Sequence, residues 1–159
     1  MSAAHASAEN VAPATARSSY PLWTTDIIRY GDTDRQGHVN NAVFATFFES
    51  GRTRFFAARS PSLQTAHMEF VIVRLEIDFR AELFYPGRVD IGTRVLGIGR
   101  TSFRLGQGVF NGDTCAATSE TVLVQMDGAS RKAKPFSPDL RRWLETGFSA
   151  RPTIGAGNS

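Results

Sequence analysis

One stretch of the sequence decides the fold, and it reads RYGDTDRQGHVNNAVFATFFESGRTRFFAAR over residues 29–59. Its first third is polar and contains two glycines, which predicts a loop rather than buried structure. Its remainder carries one stripe of apolar or small residues at helical spacing, made of Phe44, Phe47, Phe48, Gly51 and Phe55. The stripe predicts a helix over about residues 41–59, with Glu49, Arg52 and Arg54 on its other faces.

The sequence on both sides of this stretch predicts strands. Residues 22–30 precede it and favour an extended backbone. Residues 73–79 alternate strictly between apolar and charged side chains, so we expect a strand with one buried face and one wet face. Further strands are predicted at 89–98, at 103–109 with an Asn111-Gly112 hairpin turn behind it, and at 115–126. A short helix is predicted at 138–145, with Ser137 as its cap.

These elements indicate an α+β fold, with one strand, one long helix and then four antiparallel strands. A sheet of this size must cover one apolar face, and a single long helix is available. We therefore predict a curved antiparallel five-stranded sheet wrapped round one long helix. One helix covers only part of the apolar face of five strands. We therefore expect a partner subunit to complete the core and also to pair its sheet edge with this one.

Length and composition limit the class of protein. A chain of 159 residues, 42% of them hydrophobic, fits one domain, which we place at residues 20–148 between a disordered tail at 1–19 and a flexible tail at 149–159. Cys115 is a single cysteine, which suits a reducing compartment, so we expect a cytoplasmic protein. The sequence contains no run for a membrane span, no nucleic-acid-binding arm and no spacing of metal ligands.

The loop before the helix carries most of the functional signal. Asp32 and Asp34 lie two residues apart, and Gly37 permits a tight turn or the close approach of a ligand to the backbone. The first N–H groups of a helix have no partner within it and suit a developing oxyanion. A carboxylate and an oxyanion site would then lie within a few residues of each other. The alternative is that an aspartate merely caps the helix.

Residues 29–41, together with the helix segment 48–56, resemble the signature of the 4-hydroxybenzoyl-CoA thioesterase-like acyl-CoA thioesterases, which adopt the hotdog fold. The resemblance covers about residues 20–145. In that family the second aspartate of the pair is the catalytic carboxylate, which implies this role for Asp34. A backbone N–H at the helix start binds the thioester oxygen, which implies that role for Asn41.

The same resemblance indicates the surroundings of the site. We assign the residues between the two catalytic positions, Gly37, His38, Val39 and Asn40, to substrate binding. His38 could contact the substrate or shuttle a proton, or it could instead hydrogen-bond within the loop. The resemblance also implies an acyl-CoA substrate and no cofactor. It further implies a homodimer with active sites at the subunit interface, and such dimers often pair into a homotetramer.

A basic cluster near the end of the sequence has two interpretations. It consists of Arg131, Lys132, Lys134, Arg141 and Arg142. It could be a solvated face. It could also bind the phosphates of CoA, and on this second interpretation we assign Arg131, Lys132 and Lys134 to substrate binding.

The function predicted from the sequence is therefore hydrolysis of acyl-CoA to free acid and CoA. Asp34 would act either as a nucleophile, through a mixed anhydride, or as a general base for water. One rival is a non-catalytic acyl-CoA-binding module on the same scaffold. A second rival is a hotdog dehydratase or hydratase, for which His38 is the candidate histidine.

Overall fold

The computed structural model describes residues 14–58, 63 and 67–147. Its long elements occur in the predicted order, as one strand, one long helix, four strands and a terminal helix. They are β1 (Leu22–Ile28), α1 (Asn41–Ala57), β2 (Met68–Phe79), β3 (Gly87–Ile98), β4 (Ser102–Asn111), β5 (Thr114–Asp127) and α2 (Pro138–Gly147). Neither helix of the described chain is long and apolar enough to cross a bilayer.

The five strands form one antiparallel sheet in the order β1-β3-β4-β5-β2, so β1 and β2 are its edges. Helix α1 packs against one face of this sheet, and every residue of its predicted apolar stripe is buried. The predicted α+β architecture, a curved sheet around one long helix, is confirmed.

A close contact at Gly51 holds α1 against the sheet. A Cβ atom on Gly51 would collide with Gln107 Nε2 and would lie 2.7 Å from Ile91 Cγ2. The same Nε2 atom donates hydrogen bonds to the Phe48 carbonyl at 3.0 Å and to Thr93 Oγ1 at 3.1 Å. The helix therefore lies closer to the sheet than a residue with a Cβ atom at position 51 would allow. The buried Gln107 amide holds the helix backbone there by its hydrogen bond to Phe48.

The core has two parts that meet along α1. The first surrounds Phe47 and Phe48 and includes Ile91 of β3 and Val109 of β4. The second surrounds Phe55, and it contains Phe103 and Leu105 of the sheet together with Leu140 and Leu144 of α2. Helix α2 thus covers the end of the sheet that α1 leaves open, and its first turn is capped by Ser137 as predicted, with the Ser137 Oγ 3.2 Å from the Leu140 N–H.

The prediction that β2 buries one whole face is wrong at Val73 and Phe79. Val73 remains 59% exposed and Phe79 remains 51% exposed. β2 is an edge strand, and a register shift between Ile72 and Arg74 interrupts its pairing with β5. An apolar edge strand of this kind is normally covered by another element or another chain.

Two local predictions need smaller corrections. Asn111 pairs with Thr114, so the hairpin turn is formed by Gly112 and Asp113, with Gly112 at a φ of 57°. Order also begins before residue 20, because Arg17–Ser19 forms a short 3-10 helix and Arg17 bonds the Asp90 carboxylate at 3.1 Å. Residues 1–13 and 148–159, and the predicted helix end at residue 59, lie outside the described residues.

Arg52 was predicted to lie outside the apolar stripe of α1, yet it is buried with that stripe. It is only 7% exposed. Arg52 follows Gly51 directly, and it lies one helical turn after Phe48, so the close approach of α1 to the sheet buries it at the margin of the apolar stripe.

Candidate active site

The loop before α1 is a tight turn closed by backbone hydrogen bonds. Thr33 and Val39 form a β-bridge across it. The Asp34 N–H donates to the His38 carbonyl at 3.0 Å, and the Gly37 N–H donates to the Asp34 carbonyl at 3.0 Å. Gly37 has a φ of 87°, in the left-handed region that favours glycine. A glycine at position 37 thus has a conformational reason, and its predicted contact with the substrate stays a prediction.

Asp32 has a structural role in this turn. Its carboxylate accepts the Arg29 N–H at 2.7 Å, and its backbone carbonyl accepts the Asn40 N–H at 2.9 Å. The first bond closes the short turn at residues 29–32, and the second ties this turn to the residue that caps the helix. Of the two aspartates, Asp32 is therefore the one that shapes the loop.

The carboxylate of Asp34 is half-buried, and one of its two oxygens already accepts a hydrogen bond. Its Oδ1 accepts the Gln36 N–H at 2.8 Å, and its Oδ2 lies 3.9 Å from His38 Nδ1. The other ring nitrogen of His38, Nε2, lies 3.6 Å from Glu82 Oε1. The imidazole therefore stands between two carboxylates, one from the loop and one from the segment after β2.

The start of α1 presents a backbone donor. Asn40 is the N-cap, because its Oδ1 accepts the Ala42 N–H at 3.0 Å and its carbonyl accepts the Val43 N–H at 2.9 Å. Its Oδ1 is thereby engaged in capping the helix, and its predicted contact with the substrate stays a prediction. Asn41 is the first helical residue and is exposed, and its N–H meets no acceptor within the described ranges.

A cleft of about 260 Å³ opens beside this helix start. It is lined by His38, Val39, Asn41, Phe44, Phe79, Arg80, Ala81 and Glu82. The rings of Phe44 and Phe79 meet edge to face at 5.3 Å and form an apolar wall. The Val39 side chain is buried, so it contributes to this wall as a core residue.

Four of the lining residues, Phe79, Arg80, Ala81 and Glu82, were missed by the sequence reasoning. They lie some forty positions after the loop in sequence. A hydrogen bond from the Val39 N–H to the Leu83 carbonyl, 2.8 Å long, and a β-bridge between His38 and Phe84 bring the two segments together. No local pattern predicts such a contact, because it depends on where β2 ends on the folded sheet.

The predicted phosphate-binding residues lie elsewhere. β5 begins near the cleft, where the Ala116 carbonyl accepts the N–H groups of Arg80 and Ala81, and it ends at Asp127. At roughly 3.3 Å per residue, the strand from Ala116 to Asp127 is about 36 Å long. The structure therefore does not bring the exposed Arg131, Lys132 and Lys134 to the loop of their own chain, and Arg131 pairs with Glu69 at 2.6 Å.

A wider and more open groove, of about 660 Å³, lies between β1 and α1. Its described lining includes Asp26, Glu49 and Ser50, and Ser50 donates to the Asp26 carboxylate at 2.9 Å. None of the predicted site residues is among these lining residues. In the described part of the chain, no three Asp, Glu, His or Cys side chains cluster as metal ligands would.

Comparison with known families decides the class of this protein. A model of the thioesterase-like superfamily matches residues 28–144, from the end of β1 into α2. The chain belongs to the thioesterase-like superfamily. This thioesterase is a hydrolase of the hotdog fold, and the resemblance found in the sequence is confirmed.

Individual relatives agree with this assignment. The thioesterase is 25% identical over 124 residues to the 1,4-dihydroxy-2-naphthoyl-CoA hydrolase of Synechococcus elongatus, covering 75% of this chain and 91% of that protein. It is 33% identical to a thioesterase from Thermus thermophilus solved in complex with coenzyme A and Zn, with a TM-score of 0.73 over 84% of this chain and 97% of that one. A predicted thioesterase from Bacillus stearothermophilus is 27% identical, with a TM-score of 0.72 over 82% of this chain and 99% of that one.

The geometry of the helix start predicts opposite outcomes for two neighbouring asparagines. Asn40→Ala removes the cap of α1 and should lower the free energy of unfolding by about 1 kcal/mol. Asn41→Ala keeps the backbone N–H and removes only an exposed side chain, so it should change stability by less than about 0.5 kcal/mol. Chemical denaturation of both variants measures the difference. Equal losses of stability would contradict the capping role.

Proposed function

We propose that this thioesterase hydrolyses acyl-CoA, with Asp34 as the catalytic carboxylate and the Asn41 N–H as the donor to the thioester oxygen. One observation supports the proposal. The Asp34 carboxylate lies 3.9 Å from His38 Nδ1, and His38 and Asn41 line the same cleft. Asp34 itself is not among the described lining residues, so it adjoins the cleft through His38.

The oxyanion donor gains strength from its position. The N-terminus of a helix carries roughly half a positive charge, which favours negative charge that develops on the thioester oxygen. Phe44 and Phe79 form an aromatic wall on one side of the cleft, and a partner subunit that covered the half-exposed Phe79 would exclude water there and strengthen this interaction. Because the donor belongs to the backbone, it is held rigidly and needs no reorganisation during the reaction.

Asp34 can act in either of two balanced ways. As a general base, it takes a proton from water while the water oxygen bonds to the thioester carbon; the C–S bond then breaks and the thiolate leaves. As a nucleophile, its oxygen bonds to the thioester carbon and expels the thiolate, and water then hydrolyses the mixed anhydride. The Gln36 N–H holds one carboxylate oxygen and leaves the other for either step.

The central test is Asp34→Asn assayed with a panel of acyl-CoA substrates. We expect kcat to fall at least ~100-fold, because the positioned base or nucleophile is lost while the loop hydrogen bonds can persist. Asp32→Asn is the matched control and should lose less, since Asp32 ties the loop together by accepting N–H groups. Near-normal turnover by Asp34→Asn would refute its catalytic role. Tight binding of acyl-CoA without turnover by the native protein would favour the non-catalytic binding module instead.

We also propose that the active form is a homodimer joined along β2. This edge strand exposes Val73 and Phe79, and the segment that follows it supplies Phe79 to Glu82 to the cleft. A second copy paired at this edge would cover the apolar residues and wall the cleft on its open side.

Placing a charge on this edge should separate the subunits. Val73→Glu is expected to shift the sedimentation of the protein toward the monomer and to reduce activity in parallel, because a buried unpaired carboxylate opposes association. Ile27→Glu places the same charge on an exposed apolar residue of β1, the opposite edge of the sheet, and serves as the control. A fully active monomer of the native protein at assay concentration would contradict the proposal.

We propose that the basic cluster of one subunit binds the phosphates of a CoA whose thioester lies in the cleft of a neighbouring subunit. Lys132 and Lys134 are exposed and form no ion pair with the described residues, so their charges are available to a ligand. Lys132→Ala combined with Lys134→Ala should raise KM for acyl-CoA several-fold with kcat largely kept, and should leave KM for the matching acyl-pantetheine unchanged. An unchanged KM for both substrates would place the CoA phosphates elsewhere.

A further inference from the structure

Two side chains of the cleft at the helix start can accept a proton, and the steps proposed for Asp34 use neither of them. Among the described lining residues these are His38 and Glu82, because the others carry apolar, amide or guanidinium side chains. Asp34 adjoins the cleft through His38, whose Nδ1 atom lies 3.9 Å from Asp34 Oδ2. His38 therefore connects the Asp34 carboxylate to the cleft.

The imidazole of His38 is held on three sides. Its backbone forms a β-bridge with Phe84, and the Phe84 ring meets the imidazole edge to face, with centroids 6.2 Å apart. Its Nδ1 faces Asp34, and its Nε2 lies 3.6 Å from Glu82 Oε1. Both gaps are longer than a hydrogen bond, and catalytic contacts of this kind commonly tighten when the substrate binds. The Glu82 side chain is 64% exposed, so it has room to rotate and close its gap.

The nucleophilic route of hydrolysis requires a base other than Asp34. The Gln36 N–H holds Asp34 Oδ1, so Oδ2 is the oxygen that remains to bond the thioester carbon. Once it has done so, Asp34 is part of a mixed anhydride and cannot accept a proton from water. A water molecule that attacks this anhydride beside Oδ2 lies within reach of His38 Nδ1.

The same acylation sets the tautomer of His38. A neutral imidazole donates a hydrogen bond from one nitrogen and accepts at the other. The anhydride removes the negative charge of Asp34, so Glu82 is then the carboxylate that faces the ring. The Nε2–H donates to Glu82, and the lone pair of Nδ1 is left to accept a proton from water. A carboxylate that orients a histidine base in this way also stabilises the imidazolium that forms.

We propose that His38 is the base that activates water in the second half of the reaction, and that Glu82 is a positioning residue that fixes its tautomer. This inference rests on the proposed hydrolysis and selects its nucleophilic route. The water oxygen bonds to the acyl carbon of the anhydride, and the water proton moves to Nδ1. The bond between that carbon and Asp34 Oδ2 breaks, which releases the free acid and returns Asp34 as a carboxylate; Nδ1 then gives its proton to solvent.

The central test is His38→Ala, mixed rapidly with an acyl-CoA that the native protein hydrolyses. We expect a burst of CoA release that matches the number of Asp34 sites, followed by slow turnover. Protein quenched after the burst should carry the mass of the acyl group. Steady-state kcat should fall at least ~100-fold, whereas kcat/KM, which reports the first half of the reaction, should stay within about threefold. Added imidazole should speed the slow phase and not the burst.

Glu82 is tested in the same assay. Glu82→Ala should slow the second phase by less than His38→Ala does, because the base is present but poorly oriented. Glu82→Gln keeps an acceptor for the Nε2–H and should lose less than Glu82→Ala. Glu145→Gln is the matched control and should leave both phases unchanged, since Glu145 is an exposed carboxylate of α2 and is not among the described lining residues of the cleft.

The two halves of the reaction separate the possible outcomes. If kcat and kcat/KM fall together in His38→Ala, with no burst and no acyl adduct, the inference is overturned while thioester hydrolysis stands. Near-normal turnover by that variant overturns it too. Should His38→Ala fail to fold, as judged by its Tm, His38→Gln is assayed instead and the burst decides in the same way. Absence of turnover by the native protein with every acyl-CoA refutes the proposed function and this inference with it.

Discussion

The contact between Gly51 and the Gln107 side chain is the constraint on which the rest of this structure depends. Glycine lets α1 approach so closely that a side-chain amide of the sheet bonds the helix backbone at Phe48. This contact sets the depth of the helix and stops it from sliding along the sheet. The position of the helix start, and of every residue beside it, follows from it.

At the helix start, backbone hydrogen bonds position the candidate catalytic groups. The Val39 N–H bonds the Leu83 carbonyl and the Asn40 N–H bonds the Asp32 carbonyl, so the loop is attached to the segment between β2 and β3 and to the segment before it. Most of the positioning is done by main-chain atoms and by the Asp32 and Asn40 side chains. The Asp34 carboxylate and the Asn41 N–H consequently keep free capacity for a substrate.

One side of the molecule is left incomplete in a single chain. The exposed apolar residues Val73 and Phe79 belong to β2, and Phe79 also lines the cleft at the helix start. In the proposed dimer, assembly and the cleft would thus use the same edge of the sheet. A partner subunit that covered β2 would also enclose the cleft, which would strengthen polar contacts there.

The sequence by itself determined the features that depend on neighbouring residues. Spacing and backbone preference within a few positions predict the Phe stripe of α1 and the succession of strands and helices along the chain. They also predict Gly37 in its turn and Ser137 as a cap. Only the tertiary structure decided that Phe79 to Glu82 join the loop and that Arg52 is buried. It also decided that Lys132 and Lys134 lie beside the far end of β5, about 30 to 36 Å along the strand from Ala116. These juxtapositions depend on strand register and on how closely the helix approaches the sheet. Both are set by contacts between residues far apart in the chain, and no local periodicity encodes them.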